Sequence, residues 1–194
     1  CVRDGDLYAI DVATGTERAL TSHAGERVSW GTAEFVAQEE MGRFEGWWWG
    51  PDSRHLVVQR TDESNVERMR IADPYRPAAE PVEFAYPRPG RANAEVTLWS
   101  VALAGGDPVA IQWDRAKYPY VCQVRWPDAG ALTVLVMNRE QTEAVLLACD
   151  PATGATRTLL VERDAAWLNL EQTVPRWIEQ GRAFLWIAER DDSG

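Results

Sequence analysis

The stretch Asp6-Leu-Tyr-Ala-Ile-Asp-Val-Ala-Thr-Gly-Thr-Glu-Arg-Ala-Leu-Thr21 alternates apolar and polar side chains, breaks at Ala13-Thr14-Gly15, then alternates again. A period of two marks a strand with one face turned inward, and Gly15 supplies the positive φ that a tight turn between two strands requires. The stretch therefore reads as a β-hairpin. The same pattern recurs as Leu146-Leu-Ala-Cys-Asp-Pro-Ala-Thr-Gly-Ala-Thr-Arg-Thr-Leu-Leu160, and more loosely as Leu98-Trp-Ser-Val-Ala-Leu-Ala-Gly-Gly-Asp-Pro-Val-Ala-Ile111.

A second unit interleaves with the first and reads aromatic, Pro-Asp turn, β-run. Trp49-Gly-Pro-Asp-Ser-Arg-His-Leu-Val-Val-Gln59 and Arg125-Trp-Pro-Asp-Ala-Gly-Ala-Leu-Thr-Val-Leu-Val136 are two copies, and Trp177-Ile-Glu-Gln-Gly-Arg-Ala-Phe-Leu-Trp-Ile187 is a third that lacks the Pro-Asp. Proline pre-sets φ at the turn, and aspartate bonds the backbone beyond it. Joined in order, the two units give four short antiparallel strands, with the cycle restarting near Trp47, Trp126 and Trp177. Trp126 and Trp177 are 51 residues apart, the scale of a propeller blade. Trp48 and Trp126 are 78 apart, which places an insertion at about 73–93, where Pro74, Pro77, Pro81, Pro87 and Pro89 would break a central strand. The expected fold is all-β: about three to four blades of a β-propeller, with residues 1–194 forming part of a single propeller domain. A β-sandwich with regular turn signals is the alternative.

Composition narrows the function classes. A formal net charge of -10 argues against nucleic acid, whose phosphates would be repelled, and suits either solubility or a cationic ligand. Cys1, Cys122 and Cys149 have neither a CxxC spacing nor a nearby histidine, so no zinc site, redox motif or other metal or cofactor site is expected. Cys122 and Cys149 lie in apolar runs and read as buried free thiols. No window has the length and apolarity of a membrane span. The absence of an initiator methionine makes the chain read as a piece of something longer.

One segment breaks the repeat: Trp30-Gly-Thr-Ala-Glu-Phe-Val-Ala-Gln-Glu-Glu-Met-Gly-Arg-Phe-Glu-Gly-Trp-Trp-Trp-Gly-Pro-Asp52. Residues 32–42 read as a short inserted helix, with Thr32 as N-cap, Glu34 in the first turn and Gly42 at the end. On a helix the adjacent Glu39 and Glu40 lie about 100° apart and can converge on one small cation, which strand geometry would forbid. Two close carboxylates repel unless a positive charge intervenes. A ligand ammonium would supply that charge, as would Arg43 at i+4 from Glu39. The plainer alternative is a solvated helix face beside core indoles. A glycosidase-like carboxylate pair is disfavoured, because adjacent residues seldom bracket a bond from opposite sides.

This segment closely resembles the propeller of dipeptidyl peptidase IV type serine peptidases in their bacterial form. Tyr86-Pro-Arg-Pro-Gly-Arg-Ala-Asn-Ala-Glu-Val-Thr-Leu98 resembles a second segment of that family. The resemblance implies an eight-bladed propeller over an α/β-hydrolase domain of the same parent chain, removing N-terminal Xaa-Pro or Xaa-Ala dipeptides. It also implies that Glu39 and Glu40 bind the free α-amino group of the peptide.

The nucleophile elbow Gly-x-Ser-x-Gly is absent, and neither His23 nor His55 has the context of a triad base, so these residues cannot perform the hydrolysis themselves. The family's substrate-clamping arginine belongs to an earlier blade than those covered here. Asp164-Ala-Ala-Trp-Leu-Asn-Leu170 falls where the family brings a loop towards the substrate cavity, with Trp167 expected in the core. A non-catalytic propeller serving as a protein-interaction module is the alternative function. Open blade edges would add a second copy of the chain as a partner.

Overall fold

The computed structural model describes residues 1–22 and 25–189. The first sheet contains β1 (Val2–Arg3), β2 (Asp6–Ile10) and β3 (Glu17–Ala19), and it ends in the first expected hairpin. The second contains β4 (Val28–Thr32), β5 (Glu45–Trp49), β6 (His55–Asp62), β9 (Glu95–Ala102) and β10 (Val109–Ala110), in the order β10-β9-β6-β4-β5. The third is an uninterrupted four-stranded meander of β11 (Tyr120–Arg125), β12 (Leu132–Met137), β13 (Glu143–Cys149) and β14 (Thr156–Arg163). The two-stranded β15 (Arg176–Ile178) and β16 (Ala183–Leu185) begin a fourth. All pairings are antiparallel, and all three copies of each sequence unit fold as hairpins.

The hairpin turns explain their own recurrence. Asp11 Oδ1 accepts from the backbone of Ala13 (3.0 Å) and Thr14 (2.8 Å), and Gly15 N donates back to Asp11 O (2.7 Å). In the second copy Asp150 Oδ1 accepts from Ala152 N (2.8 Å), and Gly154 N donates to Asp150 O (2.8 Å). Aspartate thus opens each turn and glycine closes it.

A strand buried on both faces must alternate between two cores, and these do. On β12, Leu132, Val134 and Val136 pack towards the second sheet, against Val57, Val96, Leu98 and Ile111. Leu135 and Met137 face the other way, joining Tyr120, Cys122, Ala144 and Leu146. A third core places Leu7 of the first sheet against Trp30, Leu56, Val58 and Val101 of the second. Each fully buried aliphatic side chain contributes roughly 1.5–3 kcal/mol. A sheet stripped of either neighbour would expose half of that, so the sheets stack as successive blades.

The Pro-rich insertion behaves differently from the blades. β7 (Arg68–Ile71) and β8 (Val82–Ala85) form a separate two-stranded ribbon between β6 and β9, with β8 lying between Pro81 and Pro87. Proline therefore keeps this segment out of the blade but does not prevent an isolated ribbon. No helix among the described residues is long and apolar enough to cross a membrane.

Candidate functional site

One edge strand of the second sheet is split in two. Val28, Ser29 and Trp30 of β4 lie opposite Asp62, Thr61 and Arg60 of β6, and Trp47, Trp48 and Trp49 of β5 lie opposite Val58, Val57 and Leu56 of the same strand. β4 and β5 are thus two halves of one edge, and the residues between them loop out. The halves cross where Gly31 pairs with Gly46 and Thr32 with Glu45. A Cβ on Gly46 would lie 2.6 Å from Thr32 N and 2.7 Å from Gly31 C, so the crossing admits only glycine there.

Opposite the gap stands Gln59, whose side chain is fully buried and bonds across the break. Its Nε2 reaches Glu34 Oε2 (2.6 Å), Thr61 Oγ1 (2.8 Å) and Thr32 O (3.3 Å). Thr32 is therefore the last residue of β4 and not the expected N-cap. The helix, α1, runs Phe35–Met41, with Glu34 at the N-cap position making no side-chain cap bond because its carboxylate is turned into the protein. Gly42 ends α1 as expected, in the left-handed region at φ 61°, and Arg43 N then donates to Ala37 O (3.0 Å).

Arg43 departs from its sequence reading. Beyond the left-handed Gly42 the chain has turned, so the i+4 spacing from Glu39 no longer describes one helix face. The guanidinium is 7% exposed and pairs with Glu34 (3.3 Å). It also donates to Val121 O of β11 (3.2 and 3.0 Å) and Glu45 O (2.9 Å), and it lies 5.7 Å from the centre of the Trp48 ring. Burial draws its pKa down from the ordinary value, and Glu34 opposes that shift.

Ala33, Ala37 and Met41, spaced by four, form the buried stripe and pack against Tyr120, Cys122, Leu135 and Met137. That docking turns Glu39 and Glu40 outwards together, and both are exposed. The two resembling segments meet at α1: Phe35 stacks edge-on to Tyr86 at 5.0 Å, and Asn93 Nδ2 donates to Tyr120 OH (3.0 Å). The three consecutive indoles are divided by strand alternation, Trp47 facing the first blade and Trp48 the third.

Trp167 is not in the core. It is 65% exposed, and with Glu40, Arg139 and Asn169 it lines a cleft of about 630 Å³. Asp164 Oδ1 caps this loop by accepting from Ala166 N (2.7 Å) and Trp167 N (3.1 Å), which leaves the indole pointing outwards at a turn. His55 is engaged by Asp52 (2.5 Å) in the turn after β5, and His23 lies outside the described residues. Cys122 and Cys149 are buried free thiols, as expected. Among the described residues no group of three or more His, Cys, Asp and Glu side chains is placed to hold a metal ion.

The family described as "Dipeptidyl peptidase IV (DPP IV) N-terminal region" matches this chain over residues 1–194. Inactive dipeptidyl peptidase 10 of Mus musculus is 26% identical over 186 residues, covering 91% of this chain and 23% of its own length. Dipeptidyl peptidase 8 of Homo sapiens is 30% identical over 181 residues, covering 77% of this chain and 20% of its own length. The crystal structure of Porphyromonas gingivalis dipeptidyl peptidase 4 superposes with a TM-score of 0.75 at 23% identity, over 85% of this chain and 24% of that one. The chain thus spans about a fifth to a quarter of the length of these relatives. It belongs to the dipeptidyl peptidase IV N-terminal region family, and its stacked sheets are part of a β-propeller.

Proposed function

We propose that this chain is the substrate-recognition sector of a serine dipeptidyl aminopeptidase propeller, and that Glu39 and Glu40 bind the α-ammonium group of the peptide to be cleaved. The observation that carries this reading is the adjacent carboxylate pair, exposed on a short helix whose opposite face is docked on the next blade. A carboxylate pair held by a docked helix presents a localised double anion, complementary to one ammonium and poor for an acylated terminus. An anion pair at fixed depth also suits an exopeptidase, because it measures the distance from the peptide's first atom to the bond that breaks. The cleft beside Glu40, walled by the Trp167 indole, offers apolar surface next to that anchor. Hydrolysis would be supplied by an α/β-hydrolase domain of the parent protein.

The test is E39Q/E40Q in the full-length protein, assayed on an Ala-Pro chromogenic substrate. Leaving one partner of a close charge pair unmatched costs about 2–5 kcal/mol, so kcat/KM should fall on the order of 10²-fold or more. Retention of kcat/KM would remove the amine-anchor role. One relative is named an inactive dipeptidyl peptidase, which favours a second reading as a non-catalytic interaction propeller. A downstream Gly-x-Ser-x-Gly followed by Asp and His in the full gene decides for the peptidase, and an open frame without them decides for the module.

A further inference from the structure

Helix α1 has seven residues, well short of the roughly 12–15 at which an isolated helix becomes even marginally stable in water. Its place is therefore set by its docked apolar face and by whatever fastens its ends. At the N-terminal end the Glu34 carboxylate is held by Gln59, from its own blade. The C-terminal end, nearest Glu39 and Glu40, is held from outside that blade. Gln172 Nε2 donates to Met41 O (2.8 Å), one of the carbonyls a helix end leaves unpaired. Gln172 is itself fixed by Gln123 Nε2, which donates to its backbone and side-chain oxygens (both 3.1 Å), and by Arg125, which donates to the same backbone oxygen.

Arg43, two residues past Met41, donates to Val121 O from two nitrogens. Val121, Gln123 and Arg125 all lie on β11, so both fastenings end on a single strand of the next blade. The register of β11 against β12 slips between Val121 and Gln123, the two residues that flank this anchorage. A bulge re-aims backbone groups locally, and here the Val121 carbonyl accepts from the Arg43 guanidinium.

We propose that Arg43 and Gln172 are positioning residues for the Glu39/Glu40 pair, clamping the C-terminal end of α1 to β11 so that the third blade sets where the substrate amine is held. This rests on the amine-recognition reading given above. Neither residue is assigned contact with the substrate. Both act through the pair, so their loss should weaken amine binding and leave the bond-breaking step largely alone.

The experiment is a mutant cycle in the full-length protein on the Ala-Pro substrate, with R43M, Q172A, E39Q/E40Q and the two combinations. R43M and Q172A should each raise KM about tenfold with kcat little changed, the pattern of lost binding common to ground and transition states. In the E39Q/E40Q background the same substitutions should change KM by less than about twofold, because residues acting through one another are not additive. Equal KM increases in both backgrounds, or a fall in kcat at unchanged KM, would overturn the clamp. If R43M does not fold, Q172A decides alone: it removes an exposed side chain and leaves the Arg43 pairing intact, so a wild-type KM in Q172A rejects the proposal. A retained kcat/KM in E39Q/E40Q itself sinks the amine-recognition reading first, which separates the two failures.

Discussion

Glu143 shows how single residues tie the third blade together. Its carboxylate accepts from Tyr118 OH, from Lys117 Nζ (2.9 Å) and from Arg163 Nε (3.0 Å), joining the loop before β11 to two outer strands. Tyr118 contributes most, with Lys117 and Arg163 adding to it, and together they bring the pKa from 4.5 to about 2. A folded-state pKa below the unfolded one contributes stability that is present above about 4.5 and is lost as pH falls towards 2. E143Q should therefore lower the urea midpoint at pH 7 and flatten its decline between pH 4.5 and 2, relative to wild type. Parallel acid limbs in the two proteins would show that the carboxylate is not a source of acid sensitivity. At this scale the sequence was informative where chemistry is local: burial pushes the Cys149 thiol up to about 12, in keeping with a thiol read as buried from its apolar run. It misled at Arg43, since i+4 spacing counts only while the helix continues, and Gly42 ends it one residue earlier.

Among elements, the hairpins were legible because their turns are self-contained. Asp11 to Gly15 and Asp150 to Gly154 close through hydrogen bonds within five residues, so nothing distant can override them. The split strand was not legible, because Trp30 and Trp47 become neighbours only through a shared partner, β6. Its trace in the sequence is the pair Gly31 and Gly46: Gly31 needs glycine for its φ of 79° and the closeness of the Val2 side chain, and Gly46 for contact across the crossing. That need is measurable. A Cβ on Gly46 meets backbone atoms of Gly31 and Thr32 at 2.6–2.9 Å, and these cannot move aside as a side-chain tip could. G46A should cost about 2–4 kcal/mol in chemical denaturation, within the range for forced overpacking against a fixed backbone. At the turn glycine Gly15 an added Cβ would meet nothing within 4 Å, so G15A should cost only about 1 kcal/mol, the penalty of its φ of 71° alone. Equal losses in the two variants would mean that the crossing can relax.

Across the whole molecule, alternation on β12 and β13 settles the choice between stacked blades and a two-layer sandwich. Both faces of these strands are buried in different cores, whereas a sandwich strand turns one face to water. The same stacking leaves unpaired edges in the isolated chain: β16 pairs only with β15, and β3 only with β2, among the described residues. Exposed strand edges recruit other strands, while a formal net charge of -10 opposes the approach of a second copy. Which effect wins depends on screening, and at 0.15 M salt the Debye length is about 8 Å, short enough to leave backbone pairing in command. The 194-residue chain should therefore elute as a dimer or larger species in size exclusion with light scattering, increasingly so as salt is raised. Leu185, 52% exposed on β16, is the position at which to interrupt this. L185K places a charge on the open edge and should return the chain to a monomer without altering its urea midpoint at low protein concentration. A wild-type chain that stays monomeric at high salt would show that these short edges do not recruit a partner strand.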